Sequence, residues 1–113
     1  MRTDSVYLFT RNGLGDGPSA LQQTLAKKFL ALTLESGQLP RRIRVYPEGV
    51  RLACAESNVL EELRALEAQG VELVLCKTCL DTFSLAGEVK VGIIGGMGDI
   101  LETLQQAPKV VSL

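Results

Sequence analysis

Short apolar runs of strand length alternate with longer stretches of helical periodicity along the whole chain, and few folds accept that pattern. Ser5 to Thr10 reads as a first strand, its Val-Tyr-Leu-Phe centre apolar on both faces as a central parallel strand requires. A glycine-rich loop, Asn12-Gly13-Leu14-Gly15-Asp16-Gly17-Pro18, follows it. Pro18 and Ser19 open a long helix in which Leu21, Leu25, Phe29 and Leu32 share one face; Gly37 ends it and Pro40 prevents its resumption. Ile43 to Tyr46 is a second strand, closed by Pro47-Glu48-Gly49. After a connector holding Cys54, Asn58 and Glu61 form a cap pair three residues apart, and the helix they start turns Leu60, Leu63 and Leu66 inward until Gly70. Val71 to Cys76 is the third strand, Cys79 to Leu85 a short helix, and Lys90 to Ile94 the fourth strand. Asp99, with Glu102 three residues on, caps a last helix that Pro108 stops, and Lys109 to Ser112 is the fifth strand. Five strands alternating with four helical segments imply right-handed crossovers and a parallel sheet covered on both faces.

The 113 residues are expected to form a single domain, 1–113, with enough apolar content at 46% to bury a real core. No apolar run approaches the ~20 residues of a membrane span, and the first residues lead straight into a strand, so neither a membrane segment nor a signal peptide is expected. The expected location is cytoplasmic, where three cysteines stay reduced and are not a disulfide framework. Net charge is −1, and the one basic cluster, Arg41-Arg42-Ile43-Arg44, reads as a solvated strand entrance rather than a nucleic-acid site. The chain contains no histidine, which removes Cys–His and Ser–His catalysis and any histidine-ligated zinc. Whatever activates a cysteine here is local electrostatics.

The segment Glu72-Leu73-Val74-Leu75-Cys76-Lys77-Thr78-Cys79-Leu80-Asp81 carries the chemistry. Two thiols stand where a strand gives way to a helix, at the carboxyl edge of an α/β sheet where reactive groups gather. A helix starting near Thr78 aims backbone N–H groups at the sulfurs, and Lys77 adds a full charge; both favour thiolate, the nucleophilic form. Cys76 is the expected reactive residue. Cys79 has two readings, a resolving thiol that closes a disulfide with Cys76 or an inward-packing residue of the first helical turn. Cys54 is a secondary candidate, structural unless its connector faces the same sheet edge. Zinc fits poorly, since structural zinc wants four Cys or His ligands and only three cysteines exist, so no metal and no organic cofactor are expected.

The loop containing Gly13, Gly15 and Gly17 precedes a helix and offers backbone N–H groups to an anion, or is simply a turn. It is not a dinucleotide fingerprint, whose third glycine falls at Pro18. Gly95 and Gly96, in Gly95-Gly96-Met97-Gly98, read either as a wall of the same cleft or as a close backbone approach.

Three stretches together resemble the DsrE-like family of sulfur-relay proteins: Val45-Tyr46-Pro47-Glu48-Gly49-Val50-Arg51-Leu52-Ala53-Cys54, Cys76-Lys77-Thr78-Cys79-Leu80-Asp81 and Lys109-Val110-Val111-Ser112-Leu113. The nearest likeness is to the C-terminal domain of the YedF type, which is sulfurtransferase-like and linked to selenium metabolism. The resemblance implies a three-layer α/β/α sandwich around a parallel five-stranded sheet. It also implies a persulfide on Cys76, sulfur-donor and acceptor proteins as partners, and a homo-oligomer with the cysteine near a subunit contact. YedF-type proteins often carry a TusA-like domain before this part, whereas the present chain begins at the first strand, so a separate donor is implied. The alternative is a non-catalytic module that binds a small anion or nucleotide; a third is a dithiol reductase using Cys76 and Cys79.

Overall fold

The computed structural model describes residues 3–113. Met1 and Arg2, part of the lead-in to the first strand, lie outside the described residues. Strands β1 (Ser5–Phe9), β2 (Arg42–Val45), β3 (Glu72–Cys76), β4 (Ile93–Gly95) and β5 (Lys109–Ser112) form one parallel sheet in the order β4-β3-β2-β1-β5. Helices α1 (Ser19–Ser36), α2 (Leu60–Ala68), α3 (Lys77–Thr82) and α4 (Met97–Gln106) connect them, with 3-10 turns at Glu48–Ala53 and Ala86–Glu88. No helix among the described residues is long and apolar enough to cross a membrane.

The strand order dictates the layers. The first three crossovers step one strand at a time in the same direction, so right-handed connections put α1, α2 and α3 on one face. The last crossover returns across the whole sheet and puts α4 on the other. Side chains of β2 read out the two faces: Ile43 and Val45 join the apolar cluster with Leu30 of α1 and Leu63 of α2, whereas Arg44 reaches Thr103 and Asp99 of α4. The chain is thus the expected α/β/α sandwich.

Several local expectations are corrected. The stripe Leu21, Leu25, Leu32 points outward, 49%, 38% and 63% exposed; α1 packs instead through Ala26, Leu30 and Thr33, with Phe29 half-buried against the Tyr7 ring. Apolar residues occupy two neighbouring stripes of this helix, and periodicity alone does not say which one faces the sheet. Gly37 does end α1, in the left-handed region with its N–H on the Leu34 carbonyl. Asn58 and Glu61 make no capping pair: α2 begins at Leu60, and the Asn58 amide donates to the Gln23 carbonyl at 3.1 Å, tying the connector to α1. The fourth strand has only three residues, because Lys90 donates its N–H to the Ala53 carbonyl and Val89 bridges to Cys54. Asp99 makes no capping bond, and Gly96 holds the N-cap position of α4.

The basic cluster is not a solvated entrance. Arg41 pairs with Asp4 at 2.8 Å and Arg42 lies 3.4 Å from Glu72. Arg44, its side chain 1% exposed, donates to Glu72 Oε1 at 2.6 Å and to Thr103 Oγ1 at 3.0 Å. Its Nε stands 3.0 Å from Asp99 Oδ1, close enough for an ion pair but without hydrogen-bond alignment. A buried guanidinium needs such partners, because stripping a charge of water costs several kcal/mol unless opposite charge replaces it. Gly49 shows a different necessity: a Cβ there would collide with the Phe9 carbonyl oxygen, so the 3-10 turn can approach β1 only with glycine at that place.

The Arg44 cluster yields a stability prediction. The hydrogen bond from Arg44 holds the Glu72 carboxyl below the usual carboxylate range. Its contribution is therefore present above the unfolded value near ~4.3 and lost as pH falls through the depressed folded value. A Glu72→Gln/Asp99→Asn variant is expected to lose about 1–3 kcal/mol in urea unfolding at neutral pH, discounted because both acids are half exposed. The gap to the parent should close in acid; equal neutral stabilities would show that the cluster does not hold α4 in place.

Candidate functional site

All five strands end at one edge, so the segments leaving β1, β2, β3 and β4 share it. Cys76 is the last residue of β3 and the N-cap of α3, with extended backbone (φ −71°, ψ 120°) and no side-chain capping bond. The helix therefore starts at Lys77 and ends at Thr82, earlier at both ends than the expected Cys79 to Leu85. Strand and helix abut without a loop, which draws Cys76 closer to the first helical turn than the spacing alone implies. In register, Cys76 stands opposite Gly95 on β4. A Cβ on Gly95 would press on Val74 Cγ1, so this glycine allows close strand approach beside the cysteine.

Cys76 is fully buried and Cys79 partly exposed. Burial pushes the Cys79 thiol up to about 11, and the nearby Cys76 side chain adds to the rise. At neutral pH Cys79 is then a thiol, able to donate to a neighbouring acceptor. Lys77 is exposed and pairs with Asp81 at 2.7 Å, one helical turn on; that contact raises its own proton affinity. Its charge is thus shared with Asp81 rather than dedicated to the sulfurs. Thr78 is exposed in the first turn of α3.

Cys54 does lie toward the same edge, in the buried cluster that also contains Cys76 and against which Cys79 packs. Its thiol donates to the Val50 carbonyl at 3.2 Å, and burial, then the Glu88 carboxylate, raise it above the ordinary thiol value while Arg51 opposes them. The glycine loop is folded onto α1: Gly13 is buried against Gln22, Leu14 donates its N–H to the Gln22 carbonyl, and the Gln22 amide donates to the Gly15 carbonyl. Gly96 is exposed and its carbonyl accepts from the Asp99 N–H.

A cleft of about 360 Å³ is lined by none of the glycines and by neither Cys76 nor Cys79. It lies between Asn12, Gln23, the Arg51–Asn58 connector and residues 84, 85 and 88, with Cys54 among its lining residues. Sequence reading missed this cleft and missed Arg44. The cleft is assembled from four distant segments, and Arg44 has the sequence context of an ordinary surface arginine.

The sequence profile of the DsrE/DsrF-like family matches residues 14–113, and the chain belongs to that family. Solved structures repeat its fold at low identity. The YchN protein of E. coli superposes with a TM-score of 0.71 at 19% identity, over 96% of this chain and 98% of that one. MTH1491 of Methanobacterium thermoautotrophicum, a protein of unknown function, gives 0.69 at 17% identity over 99% and 98%. BT1422 of Bacteroides thetaiotaomicron, also of unknown function, gives 0.68 at 15% over 97% and 95%. No curated protein matches the sequence. The family is thereby established, while the narrower likeness to the YedF type receives no support from these matches.

The thiol ranking is directly measurable. Residue-resolved alkylation between about pH 6 and 11 should show Cys79 reacting appreciably only as pH nears its raised value, because the thiolate is the reacting form. Rapid modification of Cys79 at neutral pH would contradict the geometry described.

Proposed function

We propose that the protein carries sulfane sulfur as a persulfide on Cys76. The observation that supports this most is the placing of Cys76 at the β3–α3 junction with Cys79 in the first turn of α3, within a chain of the DsrE/DsrF-like family. In loading, the Cys76 thiolate attacks the outer sulfur of a donor persulfide, R–S–SH. The donor's S–S bond breaks, R–S⁻ leaves with the bonding pair, and Cys76–S–SH remains. In unloading, an acceptor thiolate attacks that outer sulfur and Cys76 departs as thiolate. No net oxidation or reduction occurs in either step.

Cys79 decides how long the persulfide lasts. As a thiolate it would attack the inner sulfur, form a Cys76–Cys79 disulfide and expel HS⁻. Held protonated up to about 11, it scarcely does so at neutral pH and serves as a hydrogen-bond donor instead. Because Cys76 has no exposed surface, loading requires local opening, and α3, only six residues long, is an element that opens at low cost. Burial between openings shelters the persulfide from stray thiols.

Intact-mass spectrometry after exposure to a persulfide donor tests the assignment. The parent and Cys54→Ser should gain one sulfur that reductant removes, and Cys76→Ser should gain none. Cys79→Ser should load and hold its sulfur longer at alkaline pH than the parent. Full loading of Cys76→Ser would remove Cys76 from the role.

Self-association belongs to the same proposal. Ile93, Ile94, Met97 and Leu101 are exposed on and beside the edge strand β4, next to the register position of Cys76. Exposed apolar side chains at an unpaired strand edge favour a covering partner, and a closed symmetric homo-oligomer is the form expected. Light scattering across a dilution series should give a multiple of the monomer mass, lowered by Ile93→Lys/Leu101→Lys; a monomer throughout would refute this part.

A further inference from the structure

The cleft of about 360 Å³ beside Cys54 has no part in the sulfur chemistry above. Its walls are tied together before any ligand arrives. The Asn58 amide donates to the Gln23 carbonyl, Lys27 donates to the Asn58 carbonyl and to Glu62, and Cys54 pairs with Val89 in an isolated antiparallel bridge. Arg51 lies over the Phe83 ring, 4.7 Å from its centroid, with its Nε donating to Glu48.

Polar capacity in this cleft is left over. Among the described residues, Glu56 and Glu88 make no ion pair, and the side chains of Asn12, Gln23 and Ser84 have no hydrogen-bond partner. Arg51 spends only Nε on Glu48, leaving its two terminal nitrogens for an anion. The lining charges, one guanidinium against two carboxylates, sum to −1. Cys54 reports the same imbalance at the floor, since Glu88 raises its thiol by more than Arg51 lowers it. A net negative site of this kind repels free phosphate and nucleotides and accepts an ammonium group. The remaining guanidinium nitrogens suit a carboxylate at the ligand's other end.

We infer that this cleft binds a small zwitterion of amino-acid or dipeptide size, its ammonium held by Glu88 and Glu56 and its carboxylate by Arg51. The volume fits, since about 360 Å³ lies at the lower end of the range of small-molecule sites. The proposal stands apart from the persulfide reading, because neither Cys76 nor Cys79 lines the cleft.

Amide-resolved NMR titration of the full chain tests it, with glycylglycine as the probe and N-acetylglycylglycine, which lacks the ammonium, as the control. Glycylglycine should shift Ser57, Asn58, Ser84 and Glu88 saturably, and the acetylated control should not. Glu88→Gln, checked as folded by its own spectrum, should weaken binding about tenfold, as expected for loss of a charged hydrogen bond. Arg51→Met should weaken glycylglycine but spare ethanolamine, an amine without a carboxylate. Cys76→Ser should bind like the parent, which separates this site from the sulfur site. Absence of saturable shifts in the cleft, equal binding of the acetylated control, or indifference to Glu88→Gln would each overturn the proposal.

Discussion

A buried arginine on the central strand holds the second face of this sheet together. Arg44 links β2 to β3 through Glu72 and to α4 through Thr103 and Asp99. That matters because α4 is, among the described residues, the only helix on its side, while α1 and α2 support each other on the opposite face. An apolar residue at position 44 would pack against α4 in many rotations; charge and hydrogen bonds select one. Arg44 sets specificity as much as stability, since buried ion pairs contribute little net free energy against an apolar replacement. With α4 fixed, the Gly95–Gly96 turn that precedes it is fixed too, and Gly95 is the register partner of Cys76. The surroundings of Cys76 thus depend on an interaction made by the helix that follows β4.

The site itself is economical in chemical groups. Without histidine, proton handling falls to the thiols and their surroundings. Burial leaves Cys79 a thiol at neutral pH, three residues from the sulfur proposed as the carrier. A dithiol pair used for reduction needs both members to exchange readily; a carrier needs one of them inert. Under the proposed carrier role, the short α3 would be the way to open and the apolar β4 edge the surface for a partner.

The sheet, its strand sequence and the crossovers were legible because apolar strands and helical periodicities alternate with little interruption, and because Gly37 punctuates α1 as sequence rules expect. Legibility failed where tertiary contact chose between locally equal options. Leu21, Leu25 and Leu32 form a true helical stripe, but the sheet took the neighbouring one through Ala26 and Leu30. Asn58 and Asp99 both have the residue type and spacing of caps and are drawn instead to Gln23 and Arg44. Cys76 and Cys79 were visible as a pair from their spacing at a strand end. Their unequal burial was not visible, nor was the engagement of Lys77 with Asp81. The Cys54 cleft had no signature, since its lining residues come from segments that meet only in the fold.

The most direct test of the carrier assignment is to find the sulfur. The untouched parent chain would be loaded from a persulfide donor labelled in its outer sulfur, digested under conditions that preserve persulfides, and mapped by tandem mass spectrometry. The account predicts the label on the Cys76 side chain, with Cys54 and Cys79 unlabelled at neutral pH. Label on Cys79 or Cys54 with none on Cys76 would contradict it.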